Sequence, residues 1–152
     1  MLAVIFSFSK RGGLLNAAIG RFLAGIGCEA KCCTMPKFAG VCEGLTAVDD
    51  YKAVCAEYFN KADALIFIGA SGIAVRAIAP YVKSKTTDPA VLVIDECANF
   101  VISLLSGHIG GANELARRIA AAIKAVPVVT TATDVNNLFA VDEWAARRGM
   151  VI

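Results

Sequence analysis

The sequence predicts a three-layer α/β/α fold, in which a mostly parallel sheet of Rossmann-like or flavodoxin-like type carries helices on both faces. Short apolar runs rich in β-branched residues alternate along the chain with segments of helical periodicity, an order typical of parallel sheets. Polar residues and glycines follow the apolar runs, where open α/β sheets bind ligands. At 152 residues, with 57% hydrophobic residues, the chain (1–152) is expected to form a single domain with one sizeable core.

Six apolar runs are predicted to be strands. ALIFIG is typical of a strand buried on both faces, whereas PVVTTATD begins as a strand and leaves into a polar loop. FVISLL is interpreted either as a hairpin partner of the strand before it or as a separate strand. The predicted strands lie within residues 2–8, 29–33, 64–69, 90–95, 100–105 and 127–134.

Five segments have helical spacing. The clearest is 111–124, where apolar residues recur on one face and Asn113, Glu114 and two arginines lie elsewhere. The helix after ALIFIG is expected to end near Pro80. Residues 35–45, broken by a proline and two glycines, and the polar residues 83–89 are predicted to be loops. The predicted helices cover 12–25, 49–60, 71–82, 111–124 and 138–148.

Composition excludes several classes of function. The net charge is +2 and no basic run occurs, so nucleic acid is not an expected partner. No apolar run reaches the roughly 18–20 residues of a membrane span, and the amino terminus is a predicted strand rather than a signal peptide. The six cysteines form no CxxC pair, so we expect no metal site and reduced thiols in a cytoplasmic protein.

Two strand-to-helix turns are candidate ligand sites. In SFSKRGG, the start of the helix together with Lys10 and Arg11 can hold an anion, although an ordinary βα turn has the same pattern. GASGIAVR is not a nucleophile elbow, because isoleucine stands where the last glycine of that motif is required. Ser71 is expected to cap the helix and Gly72 to allow close approach of a ligand or of the helix. Arg76 is either a partner for a ligand carboxylate or a solvated helix charge.

Asp95 and Glu96 end an apolar strand. Paired acids in a cleft can divide the roles of general acid and general base. The alternative is a simple turn start.

The stretch SGHIGGAN carries the single histidine of the chain, His108, among three glycines. Glycine permits positive φ and close approach to the backbone, and the helix that follows offers N–H groups to an anion. An imidazole can give or take a proton near neutral pH. We therefore expect this turn to face a ligand, although a lone histidine is often a packed core residue.

Four long blocks closely resemble the amino-terminal region of the CbiG family. They are GASGIAVR, DPAVLVIDE, SLLSGHIGGAN and TTATD, within a match that runs from about residue 65 to 145, whereas residues 1–64 match loosely. The resemblance implies hydrolysis of the δ-lactone of cobalt-precorrin-5A with release of acetaldehyde, giving cobalt-precorrin-5B. It implies no cofactor of the protein itself, since cobalt arrives within the tetrapyrrole substrate. Family members carry a further carboxy-terminal domain, which makes a separate domain or subunit an expected partner; a homo-oligomer is left open.

The resemblance also implies roles for individual residues. His108 is the candidate base, the N–H groups of Gly110 and Gly111 can hold the oxyanion, and Asp95 or Glu96 can orient the histidine or act as a second base. If FVISLL forms an antiparallel hairpin with the strand before it, however, these acids and His108 would lie at opposite ends of that hairpin. Arg76 and Lys10 suit a substrate rich in carboxylates. The expected substrate-binding residues are Ser71, Gly72, Arg76, Ser106, Gly107, Gly110, Gly111, Asn113, Thr130, Thr131 and Asp134.

Three hypotheses follow. The first is an enzyme, or one part of an enzyme, that opens the lactone. The second is a module that binds the tetrapyrrole or docks a partner, with catalysis in the carboxy-terminal domain. The third is a flavodoxin-like binder of nucleotide or phosphate that uses SFSKRGG.

Overall fold

The computed structural model describes residues 1–136, so the predicted helix 138–148 lies outside the described residues. The described part is built on one seven-stranded sheet in the order β3-β2-β1-β4-β5-β6-β7. The strands are β1 Leu2–Ser7, β2 Glu29–Thr34, β3 Thr46–Ala47, β4 Ala64–Ile68, β5 Ala90–Ile94, β6 Phe100–Leu105 and β7 Val126–Val128.

Helices cover both faces of the sheet, as the alternation of strand and helix patterns predicts. Within β1, β4 and β5, alternate side chains enter two separate apolar clusters. The first cluster contains α1 and α4, and the second contains α2 and α3, so the three-layer α/β/α prediction is confirmed. The helices are α1 Lys10–Gly25, α2 Tyr51–Tyr58, α3 Ser71–Ile78, α4 Ala112–Ile123 and α5 Ala132–Val135.

Capping residues fix where the helices begin. The hydroxyl of Ser9 accepts the N–H of Gly12 at 3.0 Å, so α1 begins two residues before the predicted start. The carboxylate of Asp50 accepts the N–H groups of Lys52 and Ala53 and starts α2 in the same way. Ser71 does not cap α3 as predicted. It is the first residue of that helix, whose cap position, Ala70, makes no side-chain bond.

Three short elements were not predicted: two lie in predicted loops, and β3 lies between the predicted loop 35–45 and the predicted helix 49–60. The segment 35–45 contains a 3₁₀ helix, Pro36–Val41, where proline supplies a fixed φ at the first position. The two-residue strand β3 is too short to leave a periodic pattern. The polar loop predicted after β7 includes the single helical turn α5.

The hairpin interpretation of FVISLL is confirmed, because β5 and β6 pair antiparallel. Every other pair of neighbouring strands is parallel, including β6 with β7. β6 and β7 therefore run opposite to the rest of the sheet. We call the edge at the carboxyl ends of β1, β4 and β5 the upper edge, and the edge at the carboxyl ends of β6 and β7 the lower edge.

The outer strand β7 leaves apolar surface uncovered. Phe100, at the start of β6, pairs in register with Val126 of β7, and the two side chains are 48% and 56% exposed. The N–H of Val126 donates to the carbonyl of Asn99, beside β6. Over residues 1–136, no helix is both long enough and apolar enough to span a membrane.

Candidate functional site

A cleft of about 370 Å³ lies at the upper edge, between the carboxyl ends of β1, β4 and β5. The connections from β1 and from β4 diverge here, so this is the switch point where open α/β sheets bind ligands. Its lining is mainly apolar and includes two carboxylates. The residues are Phe8, Ser9, Ile68, Gly69, Ala70, Ile73, Asp95 and Glu96.

The polar side chains of this cleft bond to other groups of the protein. The hydroxyl of Ser9, which caps α1, also bonds the carboxylate of Glu96. A carboxylate of the chain itself therefore stands at the helix start where SFSKRGG was expected to hold an anion. Arg76 curls over its own helix, with its guanidinium 3.1 Å from where a β-carbon on Gly72 would lie.

Asp95 holds the turn between β5 and β6. One oxygen accepts the N–H groups of Asn99 and Phe100 at 2.8 and 2.7 Å, and the other accepts the N–H of Cys97 and the amide of Asn99. Both carboxylate oxygens of Asp95 thus bond to the turn. Asp95 therefore has the turn-forming role that was the alternative to a role in acid–base catalysis.

His108 lies at the lower edge, in the loop between β6 and α4. Its Nε2 contacts the hydroxyl of Thr133 and lies 3.3 Å from a carboxylate oxygen of Asp134, both in α5. The side chains of His108 and Asp134 are about four-fifths buried, 21% and 17% exposed. A histidine held by a partly buried carboxylate is the arrangement that orients a general base and stabilises its protonated form.

Asp134 is the centre of a cluster of polar side chains at the lower edge. The other members are His108, Asn113, Arg117, Thr131 and Thr133. The oxygen facing His108 also accepts from the hydroxyl of Thr131 at 2.7 Å and from the amide of Asn113 at 3.0 Å. The other oxygen pairs with the guanidinium of Arg117 at 2.5 Å. The hydrogen bond from Arg117, followed by that from Thr131, lowers the pKa of the Asp134 carboxyl below its ordinary value. Asp134 therefore remains ionised beside the histidine at neutral pH.

The lowered pKa of Asp134 predicts a difference between the wild-type chain and Asp134→Asn. The unfolded chain takes up this proton near the ordinary value of about 4, whereas the folded chain takes it up only at lower pH. As pH falls from about 6 to 3, the free energy of unfolding of the wild type should decrease, and that of Asp134→Asn should decrease less. Urea unfolding midpoints measured between about pH 6 and pH 3 test this. Equal pH dependence in the two proteins would contradict it.

Close packing explains why glycine stands at two positions of the loop between β6 and α4, here named the histidine loop. Ser106 is buried and has a left-handed φ of 58°. A β-carbon on Gly110 would lie 2.8 Å from the carbonyl oxygen of Ser106 and closer still to its β-carbon. A β-carbon on Gly107 would lie 2.7 Å from the amide oxygen of Asn113, which the cluster holds in place. Neither position has room for a side chain.

One of the two donors predicted for an oxyanion, the N–H of Gly111, is already bonded within the loop. The N–H of Gly111 donates to the carbonyl of His108 at 3.0 Å. The first N–H groups of α4, those of Ala112 and Asn113, donate to the carbonyls of Ser106 and Gly107. These donors close the loop and are not available to an anion, because each already has a partner.

The expected joint action of His108 with Asp95 or Glu96 is wrong. The acids follow β5 at the upper edge and the histidine follows β6 at the lower edge, with a strand of six residues between them. That strand spans roughly 17 Å, far beyond hydrogen-bond reach. Ser71, Gly72 and Arg76 likewise lie at the upper edge.

The structure does gather the remaining predicted residues at the lower edge. Thr130 is exposed there, between β7 and the cluster. Two contacts of the cluster were missed: Thr133, which the TTATD block already contains, and Arg117, one helical turn after Asn113. The predicted lower-edge residues are Ser106, Gly107, His108, Gly110, Gly111, Asn113, Thr130, Thr131 and Asp134.

Comparisons with known proteins agree with this architecture. The chain is 61% identical over 87 residues to the cobalt-precorrin-5A hydrolase of Salmonella typhimurium, a match that covers 57% of the chain and 25% of the relative. The same-named protein of Priestia megaterium is 55% identical over 93 residues, covering 61% of the chain and 25% of the relative. The match thus spans only about a quarter of the length of these curated relatives.

The fold is shared with a solved structure of a cobalamin biosynthesis protein G homolog from Sulfolobus solfataricus. The two superpose with a TM-score of 0.65 at 26% identity, over 90% of this chain and 39% of the homolog. The family model described as "Cobalamin synthesis G N-terminal" matches residues 53–134, more than half of the chain and all of the His108–Asp134 region. The chain therefore belongs to the cobalamin synthesis G N-terminal (CbiG) family.

Proposed function

We propose that the chain acts in cobalamin biosynthesis as the part of a cobalt-precorrin-5A hydrolase that opens the δ-lactone of its substrate. The names of the relatives supply the substrate and its hydrolysis, and the family resemblance supplies the δ-lactone as the group that is opened. One observation supports the lower edge as the reaction site: His108, a candidate base, lies 3.3 Å from the carboxylate of Asp134. A cytoplasmic location remains part of the proposal.

In this mechanism, His108 removes a proton from the water that attacks the lactone carbonyl carbon. Thr133 and Asp134 contact Nε2 and orient the imidazole that receives the proton of the water. The ionised Asp134 stabilises the imidazolium that results. The imidazolium then returns a proton to the ring oxygen as the lactone C–O bond breaks. The hydroxyl now carried by the extruded ring carbon loses its proton and becomes the aldehyde C=O as the C–C bond to the macrocycle breaks. The two-carbon fragment leaves as acetaldehyde, and the electron pair of the broken bond stays with the macrocycle, as does cobalt.

A cation lies beside the histidine at the lower edge. At the lower edge, Asp134 is paired with Arg117, whose side chain is 44% exposed and can also face a substrate carboxylate.

A second candidate function is a binding module whose catalysis resides in the rest of the longer protein. It is favoured by one observation: the match covers only a quarter of each curated relative. In that case the chain would bind the tetrapyrrole or dock the carboxy-terminal domain without turning the substrate over.

An acetaldehyde assay separates the two functions. Cobalt-precorrin-5A is incubated with the chain alone, and with the chain plus the remainder of the Salmonella typhimurium relative supplied as a separate polypeptide. Acetaldehyde from the chain alone supports a self-sufficient enzyme. Acetaldehyde only from the mixture, and not from the remainder alone, supports a shared enzyme. Equal release by the remainder alone contradicts a catalytic role for this chain.

A further inference from the structure

We propose that Arg117 is a positioning residue of the reaction, which acts on the imidazole of His108 through the carboxylate of Asp134. It fixes the direction of that carboxylate and offsets part of its negative charge, and so sets the pH at which His108 can serve as a base. This inference rests on the proposed function and deepens it. Arg117 lies outside the family blocks quoted above, which end at Asn113 and resume at Thr130.

The helix α4 supplies a donor to each oxygen of the Asp134 carboxylate. The amide of Asn113 donates at 3.0 Å to the oxygen that faces His108, and the guanidinium of Arg117 pairs at 2.5 Å with the other oxygen. Asn113 and Arg117 are four positions apart, so they stand one turn apart on the same face of the helix. A rotation of the carboxylate would break both contacts. The helix therefore holds one oxygen of Asp134 towards the imidazole, 3.3 Å from Nε2.

The position of α4 is itself fixed by the core. Leu115, Ala116 and Ile119 are buried in the first apolar cluster, and the first N–H groups of the helix donate to carbonyls of the histidine loop. Asn113 is buried, whereas the side chain of Arg117 is 44% exposed. The backbone of both donors is thus held in place, and the exposed position of Arg117 allows its side chain to be changed without a cavity in the core.

Arg117 also places a positive charge near the imidazole. Its contact of 2.5 Å and that of His108 of 3.3 Å lie on the two oxygens of one carboxylate, which puts the guanidinium roughly 6–8 Å from the imidazole. The hydrogen bond from Arg117 is the main cause of the lowered pKa of the Asp134 carboxyl, which agrees with a strong interaction between these two groups. Without Arg117, the full charge of Asp134 would stabilise the protonated imidazole, which would then keep its proton to higher pH.

Further charged groups lie on the elements that adjoin the histidine loop. Besides Asp134 and Arg117, those within residues 1–136 are Glu114 and Arg118 of α4, and Lys83, Lys85 and Asp88 of the loop before β5. Each is unchanged in a protein that differs from the wild type only at position 117. Their effect on the imidazole, and that of any other neighbour, is therefore common to both proteins in such a comparison.

The test is a pH titration of the imidazole signal by NMR, which reports on one residue because the chain has a single histidine. We expect the midpoint in R117Q to lie about 0.5 to 1 pH unit above that of the wild type, and this shift to shrink in about 0.5 M salt. R117K keeps the charge and should stay within about 0.3 unit of the wild type. The matched control is R118Q, which removes the same charge from an exposed neighbour that is not a member of the cluster, and it should also stay within about 0.3 unit.

A kinetic measurement connects this titration to the reaction. In the acetaldehyde assay, with the complementing remainder if turnover requires it, the acidic limb of the pH profile of kcat should move in R117Q by the same amount as the imidazole midpoint. In R117K the limb should return towards its wild-type position. Thermal unfolding of each variant shows whether the fold is retained.

The outcomes separate this inference from the proposed function. A wild-type midpoint in R117Q, or an equal shift in R118Q, overturns the role of Arg117 and leaves the hydrolase assignment standing. A raised KM with an unmoved midpoint also overturns it, because Arg117 would then contact a substrate carboxylate without acting on His108. If the wild type does not convert cobalt-precorrin-5A, with or without the remainder, the proposed function fails. The NMR titration still decides in that case whether Arg117 acts on His108.

Discussion

Replacing His108 by alanine is expected to lower the rate of acetaldehyde release by about 10²- to 10⁴-fold, the usual contribution of a general base. The loss should appear in kcat, because the imidazole acts on the attacking water and not on the recognition of the substrate. The fold should persist, since the side chain belongs to the cluster at the loop surface and to neither apolar core. Steady-state kinetics and circular dichroism measure the two effects.

Chemical rescue distinguishes a base from a packing residue. Imidazole added to His108→Ala can enter the vacated space beside Asp134 and accept the proton, so part of the lost rate should return with rising imidazole concentration. A variant that retains the wild-type kcat would contradict the assignment of His108. A variant whose lost rate imidazole does not restore would point to a structural role.

Gly110→Ala is expected to destabilise the protein by about 2–3 kcal/mol, because the new methyl group would collide with the backbone and β-carbon of Ser106. Ser106 cannot move away freely, since it has a left-handed φ and donates to the carbonyl of Asp88. The midpoint of urea unfolding measures the loss of free energy.

Gly25→Ala is the matched control for this substitution. Gly25 is the last residue of α1, and nothing lies within 4 Å of where its β-carbon would be. Alanine there should leave the free energy of unfolding unchanged or raise it by a few tenths of a kcal/mol. If Gly110→Ala were as stable as Gly25→Ala, the close contact with Ser106 would not be a real constraint on the loop.

Local patterns were sufficient to predict most of the fold. Apolar runs identified β4 and β5 because these strands are buried on both faces, and residues 111–124 identified α4 because its apolar face is unbroken. Short elements were not predicted, since a two-residue strand such as β3 or a single helical turn such as α5 is too short to show a hydrophobic periodicity.

The partner of the histidine was not predictable in the same way. Which carboxylate meets His108 depends on the direction of β6, and a run such as FVISLL has the same composition whether it pairs parallel or antiparallel. Once β6 runs antiparallel, its carboxyl end moves away from Asp95 and towards the end of β7. Asp134 then becomes the neighbour, although 26 residues separate it from His108 in the chain.

Pro127 shapes the outer edge of β7, the last strand of the sheet within residues 1–136. The N–H groups of consecutive residues in a strand point alternately to one side of the strand and to the other. The N–H of Val126 points inward, where it donates to the carbonyl of Asn99 beside β6. The next residue, Pro127, therefore stands where an N–H would point outward, and it has none to offer. An additional strand approaching this edge would find no donor at that residue, which opposes growth of the sheet into a larger assembly. A second polypeptide that binds here is expected to contact the side chains of Phe100 and Val126 rather than extend the ladder of hydrogen bonds.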